Sequence, residues 1–304
     1  MNGKKKILIT GATGYIGSSL VRKLILLSQM DIAIVTRDTW SDKELLSKGV
    51  VYISCDNLEN FTILVKDFSP DVVIHLAAYS TSKDSPKEVE KLIESNIIFT
   101  SHLLIALSQC DIDIFINAGS FSEYHKSRES VSPTYFYSAT KTSARYMIEY
   151  FSKRHGFIFI NAILYSVYGK KSKNKKIIDY AIASLNAKQG VAMSKGLQEL
   201  DFVYIDDVID WYCNIVENYK HLSFSRVDYD VGTGKATSIR KLASILEVLT
   251  NKKANIKWGV YKNRKVDTIR SCADIKNSID ELNYKVKYPL VDGLKKYLNS
   301  VVKK

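Results

Sequence analysis

Tyr137 and Lys141 stand four residues apart in Pro133-Thr-Tyr-Phe-Tyr-Ser-Ala-Thr-Lys141. On a helix that spacing brings both side chains to one face. An ammonium beside a phenol favours phenolate and lowers a pKa that is about 10 in water. A tyrosine tuned this way trades a proton with a carbonyl or an alcohol near neutral pH. The pair alone is weak evidence. A chain with 19 Tyr and 44 Lys and Arg contains such spacings by chance, and an exposed helix face reads the same. The rest of the sequence must supply a fold that positions the pair and a partner for the proton.

The elements able to position it alternate along the chain. Strand-like apolar runs at 6–10, 32–36, 50–54, 72–75, 112–117 and 157–164 are separated by helical candidates at 15–28, 42–48, 58–68, 89–110 and 135–153. This alternation predicts an α/β fold, a doubly wound parallel sheet of the Rossmann type with helices on both faces. The strands read as apolar runs rather than clean alternation, as strands buried on both sides do. Beyond Ser166 the pattern loosens into helices at 177–188, 206–219, 239–249 and 291–301, strands at 201–205 and 227–231, and a short segment at 255–258. The expected organisation is a dinucleotide-binding domain over 1–165 with a returning segment at about 200–235. A smaller C-terminal substrate lobe is expected from 166–199 and 236–304.

Thr10-Gly11-Ala-Thr-Gly14-Tyr-Ile-Gly17 follows the first strand and opens a helix. In a strand–turn–helix that holds a dinucleotide, one glycine allows the tight turn, one the approach to pyrophosphate, and one close helix–strand packing. The helix N-terminus then offers amides and a positive dipole end to phosphate. Gly11, Thr13, Gly14, Tyr15, Ile16 and Gly17 are therefore cofactor candidates. The second strand ends in Thr36-Arg37-Asp38. An arginine there suits the 2′-phosphate of NADP(H), whereas an acidic residue at the strand end suits NAD(H); Asp38 comes one step late, so NADP(H) is favoured. Asp56 and Asn57 follow the third strand, where Asp56 either meets the adenine or caps the next helix.

Cys55, Cys110, Cys213 and Cys272 are scattered, with no C-x-x-C pair and no clustered histidine. This points to reduced thiols in a cytoplasmic protein with no metal site. The N-terminal apolar run is too short for a signal peptide, and no segment approaches the roughly 18 apolar residues of a membrane span. The formal charge is +12, and its densest stretch, 170–176, has no interleaved aromatics, so it does not read as a nucleic-acid stacking platform. That leaves a lysine-rich surface or a field that attracts phosphorylated ligands.

With the glycine turn after the first strand and Tyr137–Lys141 on a later helix, the chain resembles the extended short-chain dehydrogenase/reductases, the nucleotide-sugar epimerases, dehydratases and reductases. The resemblance runs over the whole length. His75-Leu76-Ala77-Ala78 is similar to the family's cofactor-lining stretch after the fourth strand. Asn96 matches the helix asparagine that supports the active-site backbone, and is counted with the cofactor-binding set. Ser120 falls at the position of the catalytic Ser or Thr. Tyr165-Ser166-Val-Tyr-Gly169 resembles the start of the substrate lobe; Asp201–Val208, Val231-Gly-Thr-Gly234 and Arg264-Lys-Val-Asp267 resemble later landmarks. The resemblance implies that Tyr137 passes a proton to the substrate oxygen, Ser120 polarises that oxygen, and Lys141 lowers the tyrosine pKa while holding the cofactor ribose. Ser80, Ser122, Ser166 and Arg264 are the expected substrate contacts, and a homodimer is the family's expectation.

Phe121 and Ser122 occupy the places where sugar 4,6-dehydratases carry an Asp-Glu pair, and Ser122 stands where the epimerase-reductases carry a cysteine. The resemblance therefore narrows to a ketoreductase or a 4-epimerase. The segments 34–38, 196–206 and 258–275 are similar to bacterial CDP-paratose and CDP-abequose synthases. The implied activity is NADPH-dependent 4-ketoreduction of a CDP-, dTDP- or GDP-linked 4-keto-6-deoxy (or 3,6-dideoxy) hexose for a surface polysaccharide. The alternatives are an NAD-dependent nucleotide-sugar 4-epimerase, or a non-catalytic NADP- or nucleic-acid-binding protein on the same fold. Leu200 and Ser166 replace an arginine and an asparagine that commonly hold the diphosphate in the family.

Overall fold

The computed structural model describes residues 4–27, 29–37, 43–124, 130–170, 175–261 and 266–302; Asp38 and Arg264 lie outside them. The apolar runs form β1 (Lys5–Thr10), β2 (Met30–Thr36), β3 (Val51–Ser54), β4 (Val72–His75), β5 (Ile114–Ser120) and β6 (Ile158–Leu164). Between them lie α1 (Gly17–Leu26), α2 (Lys43–Ser47), α3 (Leu58–Phe68), α4 (Pro86–Ile93), a π-helical turn (Glu94–Ile98), α5 (Phe99–Leu107) and α6 (Phe136–His155). The chain continues through β7 (Ser166–Tyr168), α7 (Ile177–Ser184), β8 (Val191–Ala192), β9 (Glu199–Tyr204), α8 (Ile205–Asn218) and β10 (Asp228–Val231). It ends with β11 (Ala236–Ser238), α9 (Ile239–Thr250), β12 (Ile256–Lys257), β13 (Arg270–Ser271), α10 (Lys276–Leu282) and α11 (Leu290–Val302).

The main sheet has seven strands in the order β10-β6-β5-β4-β1-β2-β3. β1 pairs in parallel with both β2 and β4, and Ile9 lies between Ile34 on one side and Ile74 on the other. β3 joins β2 and β5 joins β4, also in parallel. Ile7, Leu8, Ile9, Val72, Val73, Ile74, Ile114, Phe115 and Ile116 are all fully buried, which is why these strands carry no polar alternation. Chain order reverses between β1 and β4. A doubly wound sheet opens a crevice for ligands at such a reversal, beyond the carboxyl ends of its strands.

The chain divides into two units, one of Met1–Ile163 with Tyr212–Tyr229 and one of Leu164–Trp211 with Asp230–Lys304. β9 belongs with the second unit. There β9 is flanked by β11 and β13 and also pairs with β7, while β8 and β12 make a separate ladder. Asp201 on β9 is fully buried and gathers that unit's loops, accepting from Thr233 N and Oγ1, Gly234 N and Ala273 N.

The continuous helix expected over 89–110 is instead two α-helices joined by the π-helical turn. Among the described residues, no helix is long and apolar enough to cross a membrane, and no cluster of His, Cys, Asp and Glu is placed to hold a metal.

Candidate active site

The glycine turn is closed by sterics. Gly11 has φ +70°, and a side chain there would bring its Cβ to 2.6 Å from the amide nitrogen of Ala77, just after β4. A Cβ on Gly17 would collide with the carbonyl oxygen of Gly11. Gly14 N donates to Gly11 O at 2.9 Å and holds the loop in this shape. Thr10 Oγ1 accepts from Ala77 N at 3.1 Å, which ties the ends of β1 and β4 together at the strand reversal. Thr13 and Gly14 are exposed, Tyr15 and Ile16 are half-buried, and α1 begins at Gly17 with no acidic residue in its first turn. This cradle fits a dinucleotide phosphate, which needs close backbone approach and an uncontested helix N-terminus. Arg37 is exposed at the end of β2. Asp56 is exposed and bonded by Ser54 Oγ at 2.7 Å; the cap of α3 is Asn57, whose side chain accepts from Asn60 N.

Asn96 is buried in the π-helical turn and braces the backbone beside Ser80. Its Oδ1 accepts from Tyr79 N at 2.8 Å, and its Nδ2 donates to Tyr79 O at 3.0 Å and to Thr140 Oγ1 at 2.9 Å. One amide thereby fixes both backbone groups of the residue before Ser80 and a residue beside Lys141. The widened turn is what carries this asparagine, and such turns recur at functional sites.

Ser120 ends β5, and Phe121–Glu123 make a short 3-10 turn after it. Ser120 Oγ lies 2.8 Å from Ser122 Oγ, and Ser138 Oγ on α6 donates to Ser122 Oγ at 2.7 Å. Thr134 N and Oγ1 both donate to the Ser122 carbonyl. Ser122 is only 4% exposed, and its hydroxyl is enclosed between two other serines. Beneath this chain lies Glu123, 1% exposed. Its Oε1 accepts from Ser120 N at 2.8 Å and its Oε2 from Thr142 Oγ1 at 3.1 Å.

Tyr137 and Lys141 lie one turn apart on α6, with Tyr137 half-buried and Lys141 at 2% exposure. The expected lowering of the tyrosine pKa is reversed. Burial, then the Glu123 carboxyl, push the phenol up to about 12, against a hydrogen bond with the Ser80 side chain that acts the other way. Burial also brings the Lys141 ammonium down to about 8, opposed by Glu123. Spacing gave the neighbours, but loss of hydration on burial sets the direction of the shift. At neutral pH the phenol keeps its proton, which is the state a proton donor needs.

His75 has both ring nitrogens engaged, Nδ1 with Thr10 Oγ1 at 2.7 Å and Nε2 with Thr100 Oγ1 at 3.1 Å. Leu76 and Ala77 are half-buried and Ala78 and Ser80 exposed along the same stretch. In the second unit Ser166 starts β7 beside Phe202, and Leu200 pairs with Thr237 and Ser271.

A sequence model described as the NAD dependent epimerase/dehydratase family matches residues 7–232. The chain belongs to this family. It is 29% identical to CDP-abequose synthase of Yersinia pseudotuberculosis over 98% of this chain and 100% of that protein. It is 29% identical to CDP-abequose synthase of Salmonella typhimurium, over 97% and 98%. Among solved structures it superposes on a UDP-glucuronic acid 4-epimerase from Bacillus cereus, crystallised with a fluorinated UDP-sugar and NAD. The TM-score there is 0.84 at 24% identity, over 98% of this chain and 99% of the other. That likeness shows the fold.

In this epimerase/dehydratase-family chain, Glu123, Thr142 and Ser138 join the site without having been singled out from sequence. Ser120-x-x-Glu123 is the spacing of a capping box, and the turn does use it so. That signal was legible; the burial of the carboxylate was not.

Proposed function

We propose that this chain is an NADPH-dependent 4-ketoreductase acting on a nucleotide-activated 4-keto-6-deoxy or 3,6-dideoxy hexose. The observation that carries the reading is the state of the groups after Ser120. Phe121 is apolar, Ser122 is enclosed by two serines, and both Glu123 oxygens are bonded inside the protein. None of the three is disposed to remove a proton from sugar carbon, as dehydration or a carbon-shuttling epimerisation requires. Tyr137 supplies one acidic proton and Ser120 one hydroxyl, which suffice for a ketone that becomes an alcohol.

The turn at 11–17, the Leu76–Ala78 stretch and Arg37 would hold the cofactor, whose nicotinamide supplies hydride when bound. Arg37 supports NADPH through its fit to a 2′-phosphate. Ser120 orients the carbonyl oxygen, Tyr137 Oη gives it a proton, and the Lys141 ammonium stabilises the resulting phenolate. The likeness to CDP-abequose synthases supports a deoxysugar nucleotide as substrate. Ser166 and Arg264 are the proposed diphosphate contacts, with Lys195 near Leu200 in sequence.

A second copy of the chain is the proposed partner. α5 and α6 leave Ile105, Tyr146 and Tyr150 exposed at 45%, 54% and 59%, around an apolar hollow of about 360 Å³. Apolar side chains gathered around one hollow fit a protein–protein contact.

The test incubates the purified protein with NADPH and a panel of CDP-, dTDP- and GDP-4-keto-6-deoxy sugars, following nicotinamide absorbance and product mass. Oxidation of NADPH with a product two hydrogens heavier is expected, and no turnover on any sugar overturns the reading. The family's description as NAD dependent favours the second reading, a 4-epimerase. That enzyme would interconvert two sugars with no net change in the cofactor.

A further inference from the structure

The proposed reaction does not use His75, although its ring is fully buried and bonded at both nitrogens. The imidazole ends β4 and lies between Thr10, at the end of β1, and Thr100, in the first turn of α5. Thr10 opens the glycine turn, and Thr100 follows the π-helical turn that carries Asn96. One ring therefore spans from the cofactor cradle to the residue that braces Tyr79 and Thr140.

Counting hydrogens fixes the direction of each bond in this chain. Thr100 Oγ1 donates to the Asn96 carbonyl at 2.8 Å, and a carbonyl can only accept. That uses the one hydroxyl hydrogen of Thr100, so His75 Nε2 is the donor in its 3.1 Å bond to Thr100 Oγ1. Burial keeps the imidazole neutral at neutral pH, and a neutral imidazole carries one N–H. Nδ1 therefore accepts, and Thr10 Oγ1 is its donor at 2.7 Å. The Thr10 oxygen is supplied in turn by Ala77 N at 3.1 Å. From Asn96 the chain goes on, because Nδ2 donates to Thr140 Oγ1 at 2.9 Å and Thr140 Oγ1 donates to the Tyr137 carbonyl at 2.7 Å. Thr10, His75 and Thr100 are each 0% exposed, so bulk water does not stand in for a missing member.

We propose that His75 is a positioning residue whose Nε2–H tautomer ties the glycine turn to Asn96 through Thr10 and Thr100, and so sets the backbone beside Ser80 and at Tyr137. The competing account is a ring that only fills the core, where it packs against Phe99 and Phe115 with centroids 6.0 and 5.9 Å away. A core ring has no need of one tautomer, and its neighbours matter by their shape rather than by their hydroxyls.

The inference rests on reading Ser120, Tyr137 and Lys141 as the site, and its first test needs neither substrate nor cofactor. Protein with histidine enriched in nitrogen-15 is studied by NMR at neutral pH. The His75 signals, among those of five histidines, are identified by their loss in His75→Asn. A protonated Nε2 and an unprotonated Nδ1 are expected. The Nδ1–H tautomer, or a mixture of the two, overturns the proposal. The second test separates the Thr100 hydroxyl from its bulk. Thr100→Val keeps the shape and removes both bonds, whereas Thr100→Ser keeps the hydroxyl and removes a methyl group. In Thr100→Val kcat should fall about fivefold or more with KM nearly unchanged, and Thr100→Ser should restore most of that loss. A loss confined to Thr100→Ser, or a lower melting temperature in Thr100→Val with kcat intact, means packing alone and overturns the proposal. Should Thr100→Val fail to fold, the wild-type tautomer and Thr100→Ser decide, a large drop of kcat in the latter counting against the chain. If no sugar is turned over, the ketoreductase reading fails, while the tautomer of His75 still decides whether the chain runs as described.

Discussion

Ser122 Oγ lies 2.8 Å from Ser120 Oγ, and Ser138 Oγ donates to it from 2.7 Å on its other side. Ser138 donating to Ser122 allows Ser122 to pass its own hydrogen to Ser120, the direction that a free Ser120 hydrogen requires. Ser122 N adds a second donor to Ser120 Oγ at 3.3 Å. With two donors pointing at it, the Ser120 oxygen is supplied and its own hydrogen is left for a substrate oxygen. Removing one such bond costs about 0.5–1.5 kcal/mol, so Ser122→Ala should lower kcat by about 2- to 13-fold with KM nearly unchanged. A rise in KM at constant kcat would show instead that Ser122 touches the sugar.

Tyr137→Phe removes the only acidic proton assigned to the reaction and leaves Lys141 and the glycine turn in place. Turnover should drop by about 10²–10⁴-fold. NADPH binding, followed by fluorescence of the nicotinamide, should persist within a few-fold. Full activity in this variant would end the assignment of Tyr137 as donor.

Local signals carried much of the architecture. The glycine turn sits between an apolar strand and a helix, and β1, β4 and α3 lie within a residue of where hydrophobic runs and turn residues put them, with β2 starting two residues earlier. What failed to show depends on the third dimension. The π-helical turn around Asn96 keeps helical periodicity on both sides, so 89–110 reads as one helix. β11 and β13 span three and two residues and hold their places through pairing with β9, too short for any repeat to register. Tyr137 and Lys141 were visible as neighbours, yet the direction of the tyrosine shift follows from burial, which spacing does not report.

Gly17→Ala should be far more damaging than its one methyl group implies. The new Cβ would collide with Gly11 O, a backbone atom held by the turn rather than a side chain that can swing away. The expected cost is about 1–3 kcal/mol of stability, with NADPH affinity reduced at least as strongly because the phosphate cradle must open. Thermal melting and a binding titration read the two effects separately. Unchanged values in both would mean that the turn is looser than its geometry.

If α5 and α6 meet a second copy, placing charge on their exposed apolar side chains should separate the copies without unfolding either. The double variant Ile105→Glu, Tyr150→Glu changes two residues that are 45% and 59% exposed. Sedimentation should shift from dimer to monomer, with far-UV circular dichroism unaltered. A wild type that already sediments as a monomer removes the basis for the interface.

His75 makes the fold sensitive to acid in a predictable direction. Its imidazole is fully buried between Thr10 and Thr100, and its pKa falls from 6.5 to about 3, first through burial and then through Lys141. The unfolded chain takes up a proton below about 6.5 that the folded chain refuses until about 3, so the unfolded state binds more protons throughout that window. Stability from this group is therefore fully present above pH 6.5 and is lost as the pH falls towards 3. One proton of difference gives a slope of up to about 1.4 kcal/mol per pH unit. Urea unfolding of wild type and His75→Asn between about pH 6 and pH 4 isolates the contribution, since every other group is shared. The wild type should lose stability more steeply by up to that slope, and parallel curves would mean that His75 already carries its proton in the folded chain.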